Sequence, residues 1–362
     1  MVSKMFSGGT PLGLGTWDAK LEDIALVDFL SAYRRRVAGN YRPLRPDEIE
    51  KTLPAGPLLV SQKLDGELWF LCSLQGHVFL ANSRGKVIAG NIPTLNQASG
   101  IPDGTIIAGE LHAITTRSRA RVGDLAVVMS GDAKAKVNQI CFSAFDLLRD
   151  NHSSCELANY ETRHSRITNI LQAGNNLRII TFDTFNNPSQ VRALFEKNVV
   201  SGEMEGLVIR LDGGLIYKLK PEISIDAAII AYTTKVDQPN LVRSILLGLM
   251  NDEKQFYVLG GCGNLGSDED RKNLLTKIGA LKVNSDVRYA SESGGLYSFI
   301  KPEIVVSLNV SDLHGDRSDG TTAKSMLVTF ENDKWLNLGT GACPRPIHPV
   351  LELSLIHISE PT

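Results

Sequence analysis

Short apolar runs separated by turn residues dominate the chain between residues 57 and 147. The runs LLVSQKL, ELWFLCSL, HVFLANS, GTIIAGELHAI and QICFSAFDLL are bounded by Gly, Asn, Asp or Pro, a pattern that predicts β-strands. Apolar positions at helical spacing around charges predict helices over residues 155–173 and 188–200. Strands return in LRIITFDTF, EGLVIRL and LIYKLKP. This part of the chain is therefore expected to be rich in sheet, with helices between the strands.

The pattern changes after Pro221. DAAIIAYT, SILLGLM, QFYVLGGC, SFIKPEIVVSLNV and SMLVTFEN predict strands, and residues 267–278 predict one helix whose start has a capping pattern. Several strands with one helix suit a small barrel or sandwich. The length of 362 residues also favours two domains, so we place a boundary near residue 222.

The first residues carry a different signal. Residues 1–20 are rich in Gly and small polar residues, which predicts a loose arm. Residues 21–33 are amphipathic and end in three arginines at 34–36. These arginines are interpreted either as a solvated helix end, where cations suit the dipole, or as a contact to a phosphate backbone.

Composition and charge restrict the function classes. Hydrophobic content of 43% and charged content of 22% are typical of a globular protein. The net charge is −2, so a nucleic-acid partner requires a local basic face. Five scattered cysteines without a C-x-x-C pair favour reduced, buried thiols in an intracellular protein. Without a signal peptide or a membrane-spanning apolar run, we expect a cytoplasmic protein with no membrane partner.

Residues 63–66 (KLDG) lie between two apolar runs and are interpreted as a tight turn between two strands. Alone, the motif has a chance of about one in ten of occurring in such a chain, and an Asp-Gly hairpin explains it equally well. Further polar motifs follow in order, namely NSRG, AGEL, FSAFDLL, EGLVIR and YKLKP. Because isolated buried charges cost several kcal/mol, we expect these groups to converge on one another or on a ligand.

The residue types in these motifs suit a nucleotide triphosphate. Cations bind phosphates, carboxylates bind Mg²⁺ or ribose hydroxyls, and an aromatic ring stacks on a base. The cations are Lys63, Arg84, Lys218 and Lys220; the carboxylates are Asp65, Glu110 and Glu205; the ring is that of Phe145. The sequence contains neither a G-x-x-x-x-G-K-[ST] loop nor a G-x-G-x-x-G motif after a strand. The expected site is therefore built on β-strands.

The ordered set KLDG, SRG, GEL, FSAFDLL, EGLVIR and KLKP resembles the covalent nucleotidyltransferase superfamily of ATP-dependent DNA ligases, RNA ligases and mRNA capping enzymes. The resemblance covers residues 57–221. It implies an α+β fold, with a nucleotidyltransferase core of antiparallel sheets and flanking helices followed by an OB-fold β-barrel. The expected segments are a partly helical lead-in (1–56), the adenylation domain (57–222), the OB-fold domain (223–352) and a tail (353–362).

The resemblance also implies roles for the site residues. Lys63 would be the nucleophile that attacks the α-phosphate of ATP, with Mg²⁺ (or Mn²⁺ as a substitute) as cofactor. The other implied ligand-binding residues are Asp65 and Gly66 of the same motif, Glu110 for the ribose, Arg84 for the ribose or α-phosphate, Phe145 for adenine, Glu205 for the metal, and Lys218 and Lys220 for the α-phosphate. Nearby cations disfavour the ammonium form of a lysine and stabilise charge on phosphoryl oxygens.

Two departures from the family pattern stand out. Leu68 occupies the position where the family commonly has an arginine, so that contact must be supplied otherwise or be missing. Residues 346–352 look like the beginning of the family's last motif, while residues 353–362 resemble translated vector sequence. A truncated last motif would slow self-adenylation. The alternative interpretation of this tail is a native final strand, since leucines at 351, 353 and 355 alternate with polar residues.

The leading hypothesis is a monomeric ATP-dependent DNA ligase that seals nicks in double-stranded DNA, an activity of DNA repair and replication. RNA ligation is the nearest alternative. A GTP-dependent capping enzyme is less favoured because no feature marks a 5′-triphosphate site. A non-enzymatic alternative is an inactive core whose OB-fold domain binds nucleic acid. The first 56 residues are interpreted either as a shortened DNA-binding layer or as a lead-in to the core.

Overall fold

The computed structural model describes residues 5–115, 120–129, 136–291, 294–310, 312–315, 321–347 and 349–357. The chain divides into two compact units, Met1–Pro221 and Glu222–Thr362. The strands of the first unit are β1 (Phe6–Ser7), β2 (Thr10–Leu12), β3 (Leu14–Leu21), β4 (Arg42–Leu44), β5 (Leu58–Lys63), β6 (Glu67–Leu74), β7 (His77–Asn82), β8 (Lys86–Asn91), β9 (Thr105–Ala113), β10 (Ile140–Asp150), β11 (Ser153–Ser154), β12 (Leu177–Ile179), β13 (Phe182–Phe185), β14 (Gly206–Leu211) and β15 (Ile216–Leu219). Its helices are α1 (Ile24–Arg36), α2 (Ile49–Thr52), α3 (Pro93–Gln97), α4 (Val122–Met129), α5 (Tyr160–Ile170) and α6 (Pro188–Phe195), which continues as a π-turn over Glu196–Val200.

Two sheets build the first unit. A ten-stranded sheet has the order β1-β3-β8-β7-β6-β9-β10-β11, with β2 on β3 and β12 on β10. A five-stranded sheet has the order β13-β5-β14-β15-β4. Apart from the parallel pairs β10–β12 and β15–β4, the strand pairs are antiparallel. The predicted strands and the two predicted helices are therefore confirmed, and an α+β fold with antiparallel sheets is observed.

The larger sheet is covered on both faces, which explains its long apolar runs. In β6, Trp69 and Leu71 enter one hydrophobic cluster, while Phe70 and Cys72 enter the cluster on the other side. Successive side chains of a strand point to opposite faces. A central strand with both faces buried therefore needs apolar residues at nearly every position, as the ELWFLCSL run has.

The N-terminal segment is not the loose arm that its composition predicts. Residues 6–21 form β1, β2 and β3, and β3 pairs with β8 along the larger sheet. Ala19 and Leu21 are buried with Leu26 and Leu30 of α1. Gly13, with a φ of 58°, forms the turn between β2 and β3. Gly13 therefore belongs to a β-hairpin. Burial of Ala19 and Leu21 stabilises this segment as strands, although most of its residues are small or polar.

The three arginines after the amphipathic segment contact protein groups at the end of α1. The helix begins at an Asp23 cap, whose side chain accepts from the amide of Leu26 at 3.0 Å. Arg35 Nη1 donates to Ser31 Oγ at 2.7 Å, and Arg36 forms an ion pair with Glu156 at 3.6 Å. Cations at the last turn suit the helix dipole. The interpretation as a solvated helix end accounts for these contacts.

The KLDG segment is not the turn of a β-hairpin, and that interpretation was wrong. Strand β5 ends at Lys63 in the five-stranded sheet, whereas β6 begins at Glu67 in the ten-stranded sheet. Gly66 also lacks the positive φ that a primed hairpin turn requires. The segment instead crosses from one sheet to the other, because the apolar runs on its two sides belong to different hydrophobic clusters.

The second unit is also rich in sheet. Its strands are β16 (Ile223–Thr234), β17 (Val242–Met250), β18 (Gln255–Cys262), β19 (Asn284–Ser285), β20 (Ser298–Phe299), β21 (Ile304–Val310), β22 (Asp312–His314), β23 (Lys324–Glu331), β24 (Lys334–Ala342), β25 (Arg345–Ile347) and β26 (Val350–His357). Its helix α7 (Asp268–Ile278) begins with a capping box of Ser267 and Asp270, which confirms the predicted helix and its cap.

The main sheet of the second unit has the order β19-β24-β23-β18-β17-β16-β21-β26, with β20 on β16. Within the part of the chain that the structure describes, β19 and β26 are the ends of this sheet, so no closed barrel is formed. The expected OB-fold barrel is therefore not confirmed. The core of the unit surrounds Trp335, whose indole N–H donates to the carbonyl oxygen of Ile300 at 2.8 Å.

The C-terminal residues lie partly in a strand. Residues 350–357 form β26, which pairs antiparallel with β21, as the alternative interpretation of a final strand expects. Residues 358–362 lie outside the described residues, and the non-native origin of residues 353–362 stays a prediction. All five cysteines are free and buried, which confirms their expected burial. Among the described residues, no helix combines the length and apolar character needed to cross a membrane.

Candidate active site

Lys63 lies at the end of β5, where the backbones of β5 and β14 pair Lys63 with Gly206. Its ammonium group contacts Glu205 Oε2 at 2.7 Å and donates to the carbonyl oxygen of Leu64 at 3.1 Å. Lys220 Nζ contacts the other oxygen of Glu205, Oε1, at 2.5 Å. The Glu205 side chain is 10% exposed. One buried carboxylate therefore holds two lysines, and these three motif residues form one cluster.

Glu110 connects this cluster to the larger sheet. It lies on β9, and its Oε1 accepts a hydrogen bond from the backbone N–H of Gly66 at 3.1 Å. A Cβ atom at Gly66 would lie 2.4 Å from the carbonyl oxygen of Leu111, so the close approach of the two backbones excludes a side chain there. Burial raises the pKa of Glu110 to about 7, and the charge of Lys63 partly opposes that rise.

A cavity of about 210 Å³ opens beside Lys63. Its walls come from both sheets and from the segment before β4. The lining residues are Ala38, Tyr41, Ser61, Gln62, Lys63, Leu64, Leu68, Glu110, Phe145, Ile180, Val208, Arg210 and Lys218. The register of β10 against β9 shifts between Ala144 and Asp146, so Phe145 is at a β-bulge. Bulges re-aim side chains next to functional sites, and Phe145 accordingly lines the cavity while remaining half-buried.

Lys218 is in an unfavourable position for a cation. Burial lowers its pKa, and the positive charges of Lys63 and Lys220 lower it further. Its ammonium group lies 5.0 Å from the ring centroid of Tyr41, within the range of a cation–π contact. A bound anion would compensate the repulsion among these lysines.

A second cavity of about 220 Å³ lies on the other side of Lys63. Its polar lining includes Asp65, Glu205, His112 and Arg178 as well as Lys63. Lys63 therefore lies in the walls of both cavities. Groups bound in the two cavities would therefore both be neighbours of the Lys63 side chain.

A family model described as "ATP dependent DNA ligase domain" matches residues 44–221. The matched range contains the predicted site residues Lys63, Glu110, Phe145, Glu205, Lys218 and Lys220. Residues 44–221 are an ATP-dependent DNA ligase domain. No curated protein matches the chain in sequence.

The alignments with solved structures of similar fold cover most of this chain. One described as "Pmar-Lig_PreS3" has a TM-score of 0.52 at 15% identity, covering 90% of this chain and 71% of its own. Another, "Pmar-Lig_Pre.", has a TM-score of 0.53 at 16% identity, covering 86% and 67%. A Lig E DNA ligase structure has a TM-score of 0.47 at 14% identity, covering 83% and 99%. At these identities the first two show a shared fold.

Most of the predicted site residues of the ligase domain come together. Lys63, Glu110, Phe145 and Lys218 line the first cavity; Lys63, Asp65 and Glu205 line the second; Gly66 and Lys220 reach the site through Glu110 and Glu205. Arg84 does not join them. It is exposed on the turn between β7 and β8 and lines neither cavity. The roles of all these residues stay predictions.

Several residues of the site were not singled out from the sequence. Tyr41 precedes the matched domain, Ser61, Arg178 and His112 lie outside the quoted motifs, and Arg210 ends the motif EGLVIR but was given no role. One signal was present for Arg210, because a charged residue interrupts the apolar run EGLVIRL. Leu68, which replaces the family's arginine, lines the first cavity, and Arg178 lines the second, where it supplies a guanidinium near Lys63.

The acidic groups of the site fit a magnesium ion that shares its ligands with a nucleotide. Among the described residues no group of three or more His, Cys, Asp and Glu forms a complete metal site. Mg²⁺ in nucleotide sites is usually bound by one or two carboxylates plus substrate phosphates. Glu205 and Asp65 face the same cavity as Lys63, and this donor set satisfies that requirement.

Proposed function

We propose that this protein is an ATP-dependent DNA ligase that joins strands through a lysyl-AMP intermediate on Lys63. The observation that carries the proposal is that Lys63 lines two cavities, with Glu205, Lys218 and Lys220 close to it. The first cavity takes the nucleoside and α-phosphate of ATP, and the second takes the outer phosphates. The proposal extends the family assignment from the domain to the reaction and its residues.

In the first step, the neutral amine of Lys63 attacks the α-phosphorus of ATP. A nitrogen–phosphorus bond forms, the bond from the α-phosphorus to the bridging oxygen breaks, and pyrophosphate leaves. The Lys63 ammonium group is ion-paired with Glu205, so this pair must open and the proton must leave before attack. Lys218 and Lys220 stabilise the charge that develops on the phosphoryl oxygens. Glu205 and Asp65 would hold Mg²⁺, which when bound neutralises charge on the outer phosphates.

In the second step, an oxygen of a 5′-phosphate attacks the adenylate phosphorus, and the bond to Lys63 Nζ breaks. In the third step, a 3′-hydroxyl attacks the 5′-phosphorus, loses its proton, and AMP leaves. Glu110 binds the ribose and Phe145 stacks on adenine. Nicked double-stranded DNA is the proposed substrate and the proposed working form is a monomer.

The second unit is proposed to be an OB-fold domain that contacts the nucleic-acid backbone. The support is the pattern of several strands and one helix that its sequence predicts, and the β-strands and capped helix α7 that the structure describes in it. Such a domain would act after Lys63 has reacted, when the polynucleotide must be held at the site.

Transfer of radioactive label from [α-³²P]ATP to the protein tests the first step. Wild type should become labelled in an acid-labile, alkali-stable form, as a phosphoramidate requires. Lys63→Ala should abolish labelling, since among the described residues Lys63 is the one lysine that lines both cavities. Lys86→Ala is a matched control. Lys86 is half-exposed on β8, lines neither cavity, and forms an ion pair with Asp18 at a distance of 2.5 Å. Labelling of Lys63→Ala at the wild-type rate would contradict the assignment.

Four nicked duplexes, with DNA or RNA on either side of the nick, test the substrate. The proposal expects sealing when both sides are DNA. Sealing only when the 3′-hydroxyl strand is RNA would establish an RNA ligase instead. Labelling without sealing of any duplex would leave adenylation standing and contradict the ligase proposal for these substrates.

A further inference from the structure

Arg210 is a buried cation in the wall of the first cavity. It lies on β14 within an otherwise apolar run, is 6% exposed, and lines the cavity together with Lys63 and Phe145. Removing a guanidinium from water costs several kcal/mol unless close partners compensate. The contacts of Arg210 therefore show what it is built to bind.

The groups that touch the Arg210 guanidinium are neutral. Its Nη1 donates to Ser61 Oγ at 3.0 Å, and its Cζ lies 4.1 Å from the ring centroid of Tyr160. The Tyr41 hydroxyl is also hydrogen-bonded to Arg210. Burial raises the pKa of Tyr41, and this hydrogen bond and the positive charge of Arg210 partly oppose that rise. A guanidinium has five N–H donors. A stacked ring and two hydroxyl oxygens orient this group without occupying all of its donors.

The nearest buried carboxylate, Asp146, is held by other residues. Its Oδ2 accepts from the Tyr33 hydroxyl at 2.8 Å, and its Oδ1 accepts from Arg163 Nε at 2.6 Å. Asp146 thus supports Arg210 through its charge at a distance. Among the described contacts of Arg210, no carboxylate is in direct contact, and donors remain for a ligand.

The strand register places Arg210 far from the reacting nitrogen. Lys63 pairs with Gly206, Ser61 with Val208 and Leu59 with Arg210. Four residues along a strand span about 13 Å at about 3.4 Å per residue. Lys218, the other lysine of this cavity, pairs with Val208, between Gly206 and Arg210. Arg210 therefore lies beyond both lysines along the strand, on the side that the proposed function gives to the nucleobase. Arginine donates only, so a base it touches must present acceptor atoms.

We propose that Arg210 donates hydrogen bonds to ring nitrogen acceptors of the adenine and so contributes to the binding of ATP. This inference rests on the proposed function, in which the first cavity takes the nucleoside of ATP. Ser61, Tyr41 and Tyr160 are positioning residues that fix the plane of the guanidinium. N1, N3 and N7 are the acceptor positions that adenine offers to it.

Deaza analogues of ATP test the contact on the wild-type protein, so no variant needs to fold. KM and kcat for label transfer are measured with ATP and with its 1-deaza, 3-deaza and 7-deaza analogues. Loss of a hydrogen bond to a charged donor should raise KM for at least one analogue by about 10-fold or more, with a smaller change in kcat. If all three analogues match ATP, the inference is overturned.

The rise in KM for a deaza analogue relative to ATP is called the analogue penalty. Two variants then test whether this penalty depends on Arg210. In Arg210→Met, ATP and the affected analogue should have equal KM values, because the donor is gone; Arg210→Lys should keep part of the difference. Arg163→Met is the matched control: it disturbs the same buried network at Asp146 but does not line the cavity, so its penalty should stay at the wild-type level. A penalty that persists in Arg210→Met contradicts the inference.

Failure of the proposed function gives a different result. If ATP does not label the wild-type protein, the reaction assignment fails, while calorimetric dissociation constants for ATP and the three analogues still report the base contact. Weaker binding of one analogue would then support the Arg210 contact without the reaction. Equal binding of all four nucleotides would overturn it.

Discussion

The two units have similar sheet content but differ in where they place charge. Among the described residues, the buried Asp, Glu, Arg and His side chains all belong to the first unit, namely His112, Asp146, His164, Glu205 and Arg210. The buried polar residues of the second unit are Thr233 and Thr329. Buried charge is costly unless it is paired, and Glu205 and Asp146 have their partners inside this unit, in Lys63 and Lys220 and in Arg163. The proposed function gives this concentration of charge a purpose, namely binding of a nucleotide.

The lysine ion pairs that the structure describes in the second unit lie at the surface. Lys334 pairs with Asp286 at 2.7 Å and Lys301 with Asp333 at 3.0 Å, and at least one partner of each pair is more than half exposed. Such pairs contribute about 0–1 kcal/mol. Apolar packing stabilises this unit in two hydrophobic clusters, one of which contains Trp335. Substitutions in the two units should therefore separate stability from chemistry.

The largest effect on stability is expected at Trp335. The fully buried indole packs on Phe256, Phe299 and Phe330 at centroid distances of 5.3, 5.9 and 5.2 Å. Trp335→Ala should cost about 3–5 kcal/mol through the cavity it leaves, as measured by urea unfolding. Trp335→Phe, which keeps a ring, should cost clearly less. If the Ala variant were as stable as wild type, Trp335 would not be an important part of the core of this unit.

Lys218→Ala should have the opposite profile. Loss of a cation that contacts the transferred phosphate should slow labelling from ATP by about 100-fold. Stability should stay equal or rise, because the substitution removes a half-buried charge whose pKa is lowered by burial and by two neighbouring lysines. Thermal melting and label transfer on the same preparation measure both. A loss of stability with normal labelling would contradict the view that the charge of Lys218 serves the reaction and not the stability of the first unit.

The stability of the first unit should depend on pH through Glu110. Its folded pKa is about 7, above the ordinary value for a glutamate, so the folded state binds the proton more tightly than the unfolded state. The stabilisation is present at low pH and lost as the pH rises through about 7. Between about pH 5 and about pH 8, wild type should lose on the order of 1–3 kcal/mol more than Glu110→Gln. In parallel urea titrations, the difference in unfolding free energy between the two proteins should change across this pH range and stay constant above it.

The smallest effect is expected at Lys334. Lys334→Ala breaks the surface pair with Asp286 and should change the free energy of unfolding by no more than about 0.5–1 kcal/mol. Label transfer to Lys63 should be unchanged. A large loss in either measurement would mean that charge in the second unit has a role that its exposure does not suggest.

The alternation of apolar residues predicted most strands of both units, because burial of one or both faces leaves a direct trace in the sequence. The capping box at Ser267 and Asp270 predicted the start of α7 for the same reason, since the cap is a local contact. The small polar residues before Ala19 gave the wrong expectation. They form strands because β8 offers them a sheet edge, which is a long-range effect that no local pattern contains.

The site was predictable where a motif combines chemistry with order along the chain, as for Lys63, Glu110 and Glu205. The crossing of the KLDG segment between two sheets was not, because an Asp-Gly pair gives the same local signal in a hairpin. Tyr41 and Arg178 reach the cavities only through tertiary packing. Arg210 was visible as a charge in an apolar strand, but its partners come from β5, α5 and the segment before β4.

The most direct test of the central claim is mass-spectrometric peptide mapping of the protein after incubation with ATP and Mg²⁺. The account predicts one adenylate per molecule, linked through a phosphoramidate to Lys63, and its loss when pyrophosphate is added. An adenylate on another residue, or an unmodified Lys63 in protein that seals nicked DNA, would contradict it.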